Sequence, residues 1–137
     1  MKQEKIIISA CISADKQKVW QYYTDPSHIT RWNFADPSWH CPRAENDLKA
    51  GGKYFARMEA RDQSFGFDFE AIYTEINPEE NFTYEFGGRY ARVEFAETNQ
   101  GTEVTVSFDP ETENPAELQK AGWQAILNNF KNYTEAQ

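Results

Sequence analysis

The stretch Ile12-Ser-Ala-Asp-Lys-Gln-Lys-Val-Trp20, followed by Thr24-Asp25-Pro26, decides the fold. Upstream of it Ile6, Ile8, Ala10 and Ile12 fall on one face at period two, which predicts a first strand with its even positions toward a core. The chain then turns into a helix. Ser13 is placed to cap it, Asp15 sits where the helix dipole favours negative charge, and Val19, Trp20 and Tyr23 recur as a buried stripe. Asp25-Pro26 restarts the pattern, Asp as N-cap and Pro at the first helical position, with Ile29 and Trp32 on one side of a second short helix. Residues 33–40, with Phe34, Pro37 and Trp39, show no clear period and read as a loop.

From residue 51 onward the period is two. Gly51-Gly52 breaks the chain, and Tyr54, Ala56, Met58 and Ala60 then alternate with charged positions. Arg61–Ser64 reads as a hairpin turn into a strand over about 65–75, with Phe65, Phe67, Phe69, Ala71 and Tyr73 on one side. After the polar turn 77–81 come Phe82, Tyr84 and Phe86, then Gly87-Gly88, a strong hairpin signal. Ala91, Val93 and Phe95 alternate next, and Asn99-Gln-Gly101 turns the chain into Val104, Val106 and Phe108. Asn114-Pro115-Ala-Glu117 has the form of a capping box opening a last helix over about 115–135. At ~1.5 Å per residue that helix is about 30 Å long, enough to cross a sheet. Its apolar members are Leu118, Trp123, Ile126, Leu127, Phe130 and Tyr133.

Composition bounds what such a molecule can do. The 137 residues fit one domain, 1–137, able to bury about two-thirds of the surface exposed when unfolded. Aromatic residues make up 15% of the chain, a supply suited to both a core and a ligand cavity. The formal net charge of −8, with no Lys/Arg cluster, argues against nucleic acid and against anionic membrane surfaces. No apolar run approaches the ~20 residues of a membrane span. Residues 1–5 lead straight into a strand without a signal-peptide core, so a cytoplasmic location is expected, with Cys11 and Cys41 reduced.

These pieces resemble the START/Bet v 1-like (SRPBCC) superfamily, in particular the branch related to the C-terminal domain of the activator of Hsp90 ATPase. Four patterns carry the resemblance across nearly the whole chain. They are Ile12-x-Ala14 with Val19-Trp20 and Thr24-Asp25-Pro26, then Trp32, then Gly51-Gly52-x-Tyr54 with Met58, then Gly101-Thr102-x-Val104 before Gly122-Trp123 and Leu127. The family commonly carries a proline near Ala14, where this chain has Asp15 and Ser13 supplies the cap. The resemblance implies an α+β helix-grip fold: a curved antiparallel sheet of about six or seven strands wrapped around the C-terminal helix, two short helices after the first strand, and a cavity between sheet and helix. Members bind lipids, hormones or polyketides there, some catalyse cyclisation or dehydration, and others act as co-chaperones.

The expected activity is therefore binding of a small apolar or aromatic molecule. Trp123, Ile126 and Phe130 would form the helix side of the site, and Tyr54, Phe67, Phe69, Tyr84 and Phe86 the sheet side. Met58 would add an adaptable wall, and Trp32, Phe34 and Trp39 would stand near the entrance. A co-chaperone-like protein-interaction module is the alternative, distinguished by an exposed apolar patch. A cyclase- or dehydratase-like enzyme is the third reading. No cofactor or metal is expected, and either a monomer or a dimer is compatible with the strand pattern.

The polar candidates divide less sharply. His28 and His40 are the only histidines; His40 and Cys41 are adjacent, so on an extended chain they point to opposite faces and do not share a ligand. Glu59, Asp68 and Glu70 fall on the polar alternation, with Arg57 and Arg61 as cross-strand partners. Arg92 faces out if Ala91, Val93 and Phe95 face the helix, and enters the cavity with Tyr90 if the register runs the other way.

Overall fold

The computed structural model describes residues 4–137; of the segment 1–5 read above, Met1–Gln3 lie outside the described residues. Seven strands form one antiparallel sheet: β1 (Ile6–Ile12), β2 (Trp39–Asn46), β3 (Lys53–Ala60), β4 (Gly66–Asn77), β5 (Asn81–Phe86), β6 (Arg89–Thr98) and β7 (Gly101–Phe108). Their spatial order is β1-β7-β6-β5-β4-β3-β2, so β2 to β7 run as a meander and β1 closes the far edge beside β7. Helices α1 (Lys16–Thr24) and α2 (Pro26–Trp32) follow β1, and α3 (Ala116–Glu135) ends the chain against the concave face. This is the α+β helix-grip architecture, a curled half-barrel holding its last helix.

The alternating residues do face inward. Ile6, Ile8 and Ile12 of β1, Ala91, Val93 and Phe95 of β6, and Val104, Val106 and Phe108 of β7 are buried, and α3 adds Leu127 and Phe130. Gly87 and Gly88 both take positive φ, the conformation a two-residue hairpin turn requires. At Gly101 a side chain is excluded outright. Its φ is +138°, and a Cβ there would meet the carbonyl oxygen of Ile12 at 2.0 Å.

Several local expectations are corrected. Asp15, not Ser13, caps α1, its Oδ1 accepting from the Lys18 N–H at 2.8 Å. A tight turn intervenes, with Ala14 N–H donating to the Ile12 carbonyl, and Ser13 N–H donates instead to Glu135. The segment 33–40 is not all loop: Trp39 and His40 begin β2, whose pairing with β3 shifts between His40 and Arg43. The fourth strand runs Gly66–Asn77 rather than 65–75, with a second irregularity between Tyr73 and Glu75. Asn114 does not cap α3, which has no side-chain cap. Gln119 does comparable work one turn in, accepting from Glu111 N–H at 2.8 Å and donating to the carbonyls of Glu111 and Asn114. Leu118 is 60% exposed and contributes nothing to the core.

The cap of α2 is as expected. Asp25 Oδ1 accepts from Ser27 N–H at 2.9 Å and from its hydroxyl at 2.8 Å, and these two bonds, the backbone one first, hold its carboxyl below the usual carboxylate range. A carboxyl depressed on folding stabilises the protein above its unfolded pKa of about 4, and that stability is lost as pH falls through the folded value. Asp25→Ala is therefore expected to cost about 1 kcal/mol near neutral pH. The gap between variant and parent in thermal unfolding should narrow as the pH is taken below about 4; a gap independent of pH would show that the carboxylate charge plays no part.

Candidate functional site

Between the concave face of the sheet and α3 the packing leaves a cavity of about 440 Å³, within the range typical of small-molecule sites. It exists because β3 and β4 run on past the end of β5: Phe67 pairs with Met58 and Phe69 with Ala56, while β5 ends at Phe86. Inward side chains of β4 in that extension have no β5 residue beside them and face space instead. Phe67 is accordingly 44% exposed and Phe69 partly so, although both lie on the face that is fully buried at Ala71 and Tyr73.

The walls come from five directions. The sheet supplies Tyr54, Met58, Phe67, Phe69, Tyr84 and Phe86; α3 supplies Trp123 and Ile126; and Trp32 reaches in from α2. These nine are residues named from the sequence. Trp123 is held by stacking on Phe108, ring centres 3.9 Å apart and planes 9° from parallel, and Phe69 packs against Tyr54, Tyr84 and Phe86 at 5.3–6.0 Å. Three other candidates stand elsewhere. Phe130 is fully buried behind the cavity, edge-on to both Tyr23 and Trp32. Phe34 is tied by its carbonyl to Asn129 of α3. Trp39, at the start of β2, forms a ring cluster with Phe65 and Phe67 of the β3–β4 hairpin.

The polar groups of the lining were mostly missed. Asn33 caps the end of α2, and its amide donates toward Tyr54 Oη at 3.5 Å, Met58 Sδ at 3.6 Å and Cys41 Sγ at 3.9 Å, all long contacts. Tyr23 and Tyr73 join Tyr54 and Tyr84, so four phenols share the cavity wall. Burial is the main cause that pushes all four up from the usual tyrosine range, and the Tyr84 hydroxyl raises Tyr23, Tyr54 and Tyr73 further. Near neutral pH they carry no charge and serve as hydrogen-bonding groups rather than bases. Burial likewise raises the Cys41 thiol, against the opposing Asn33 amide. Arg89 and Glu111, the charged lining residues, are both partly exposed. Arg89 lies over the Phe86 ring and donates to the Asp109 carbonyl at 3.3 Å, and Glu111 accepts from Asn114 N–H at 2.7 Å. A polar residue directly after Trp32, and an arginine directly after the Gly-Gly turn, were the available sequence signals.

The remaining candidates settle outside the cavity. Arg92 faces out, pairing with Glu75 at 3.0 Å, because Ala91, Val93 and Phe95 are the buried set. Arg57 bridges Glu59 and Asp68 on the outer face, but Arg61 donates to the Pro37 carbonyl and not to those carboxylates. His28 bonds Tyr133 Oη at 2.7 Å and stacks on Tyr22, and His40 lies 3.6 Å from Glu59. Both cysteines are free, and no cluster of three potential metal ligands occurs among the described residues. No helix among them is long and apolar enough to cross a membrane.

A curled antiparallel sheet gripping a C-terminal helix over an aromatic cavity defines the START/Bet v 1-like class of folds. Within it, the chain belongs to the family described as Activator of Hsp90 ATPase homolog 1-like protein, whose model matches residues 13–135. The AHSA1-like protein from Aeromonas hydrophila is 41% identical, with 96% of this chain and 92% of that one covered and a TM-score of 0.91. Chr148 from Cytophaga hutchinsonii is 47% identical over 96% of this chain and 92% of its own, with a TM-score of 0.83. Protein NE0264 from Nitrosomonas europaea, at 17% identity over 97% and 95% of the two chains and a TM-score of 0.83, shares the fold. No curated protein matches the chain.

Proposed function

We propose that the protein binds a small, largely apolar or aromatic molecule in the cavity between the sheet and α3. The observation that carries this reading is the cavity itself, about 440 Å³ walled by aromatic rings from three strands and all three helices. Protein interiors otherwise pack at the density of organic crystals, with few voids larger than a water molecule, so a space of this size sets the region apart from a core. Native mass spectrometry of the protein purified from its own host tests it. A non-covalent adduct lost on denaturation is the expected result. Bare protein that also takes up no neutral naphthalene probe would overturn it.

A second reading rests on Phe65 and Phe67 of the β3–β4 hairpin and Trp39 at the start of β2, which cluster with Phe65 61% exposed. Exposed aromatic clusters of this kind commonly mark contact surfaces for a protein, and the family's description names an ATPase activator. Phe65→Ser separates the two readings, because Phe65 does not line the cavity. Unchanged probe affinity in that variant keeps the ligand in the cavity; lost affinity moves the function to the hairpin.

A further inference from the structure

Two tyrosine hydroxyls in the cavity wall have no packing reason to exist. The Tyr73 hydroxyl is committed to Asn46 Oδ1 at 2.7 Å, and that of Tyr54 meets the Asn33 amide only at 3.5 Å. Those of Tyr23 and Tyr84 meet no protein partner among the described residues. Thr134 Oγ1 is the sole fully enclosed and unpartnered side-chain oxygen among those residues, so Tyr23 and Tyr84 present their hydroxyls to cavity space instead. Both residues line the one cavity, Tyr23 from α1 and Tyr84 from β5. Phenylalanine would fill the same ring positions, so the two hydroxyls are free to serve whatever occupies the cavity.

Resting on the binding reading above, we infer that Tyr23 and Tyr84, whose hydroxyls open onto the same cavity, hold a neutral oxygen acceptor of the ligand: the carbonyl of a ketone, quinone or lactone on a flat apolar skeleton. A carboxylate does not fit, because no cation stands among these phenols and a buried unpaired anion is far costlier than two hydrogen bonds can offset. Arg89 does not supply one; it is partly exposed, and Glu111 shares the lining with it. A pure hydrocarbon fits the walls but leaves both hydroxyls unpaired.

Three probes of one skeleton decide the matter: acetylnaphthalene, isopropenylnaphthalene (the same shape with carbon in place of oxygen) and naphthoate, each titrated by tryptophan fluorescence. The ketone is expected to bind about tenfold tighter than the alkene, and the carboxylate weakest. In Tyr84→Phe the ketone's advantage should fall to about threefold, and in Tyr23→Phe/Tyr84→Phe it should vanish, with alkene affinity unchanged. The unliganded variants should melt close to the parent, since neither hydroxyl is held by a protein partner among the described residues. Equal affinity of ketone and alkene, or a preference that survives the double substitution, overturns the carbonyl assignment and leaves the binding reading standing. Failure of all three probes to bind overturns both.

Discussion

Phe130→Ala is expected to lower the unfolding free energy by about 4 kcal/mol, and Phe69→Ala by less than half as much. Both residues are phenylalanines on the inner side of the molecule, and the sequence alone places both at the site. Their surroundings differ. Phe130 is wholly buried, edge-on to Tyr23 at 4.9 Å and to Trp32 at 5.0 Å, so truncation opens a void that the joined helices cannot close. Phe69 already borders space and remains partly exposed, so truncation removes contacts on one side only. Against a typical net stability of about 5–15 kcal/mol, the first loss is large enough to read directly in a denaturant midpoint. Equal losses would mean that the cavity beside Phe69 is closed in solution.

That contrast marks the boundary of what the residues could tell in advance. The half-barrel was legible because β3, β5, β6 and β7 keep a period of two through their buried residues and the hairpins carry their own turn chemistry, as at Gly87-Gly88. Legibility failed where parity changes within a strand. Cys41 faces in, but the shift between His40 and Arg43 turns Ala44 and Asn46 inward next, so no single alternation runs through β2. Between Tyr73 and Glu75 a second shift does the same and brings Ile76 inward. The first helix begins later than a Ser13 cap would place it because a turn at Ile12–Ala14 intervenes.

The site was legible as a set of apolar rings and not as a set of polar groups. Tyr23 belongs to the same helical stripe as Val19 and Trp20, and nothing in that spacing shows that its hydroxyl opens onto space while its neighbours are sealed. Whether a ring lines a void or fills one depends on where neighbouring strands end. Phe67 and Phe69 line the cavity because β5 stops at Phe86, a relation between strands that no local pattern carries. Arg92 shows the converse: once Thr83 is its cross-strand neighbour, the buried Ala91 and Val93 fix it outside.

Filling the cavity from both walls is the sharpest test of the function. In Phe69→Trp/Ile126→Trp one indole enters from β4 and one from α3, and the two occupy space a ligand would need. Enlarging a packed core strains it, but here the added rings meet a void, so the variant should unfold no more readily than the parent and bury additional apolar surface. Acetylnaphthalene should bind at least about 100-fold more weakly, a loss of about 2.7 kcal/mol, while the near-ultraviolet spectrum of the folded protein persists. Retained affinity with retained fold would place the probe on the Trp39–Phe65–Phe67 cluster instead. The aromatic hairpin, rather than the gripped helix, would then be the working surface of the molecule.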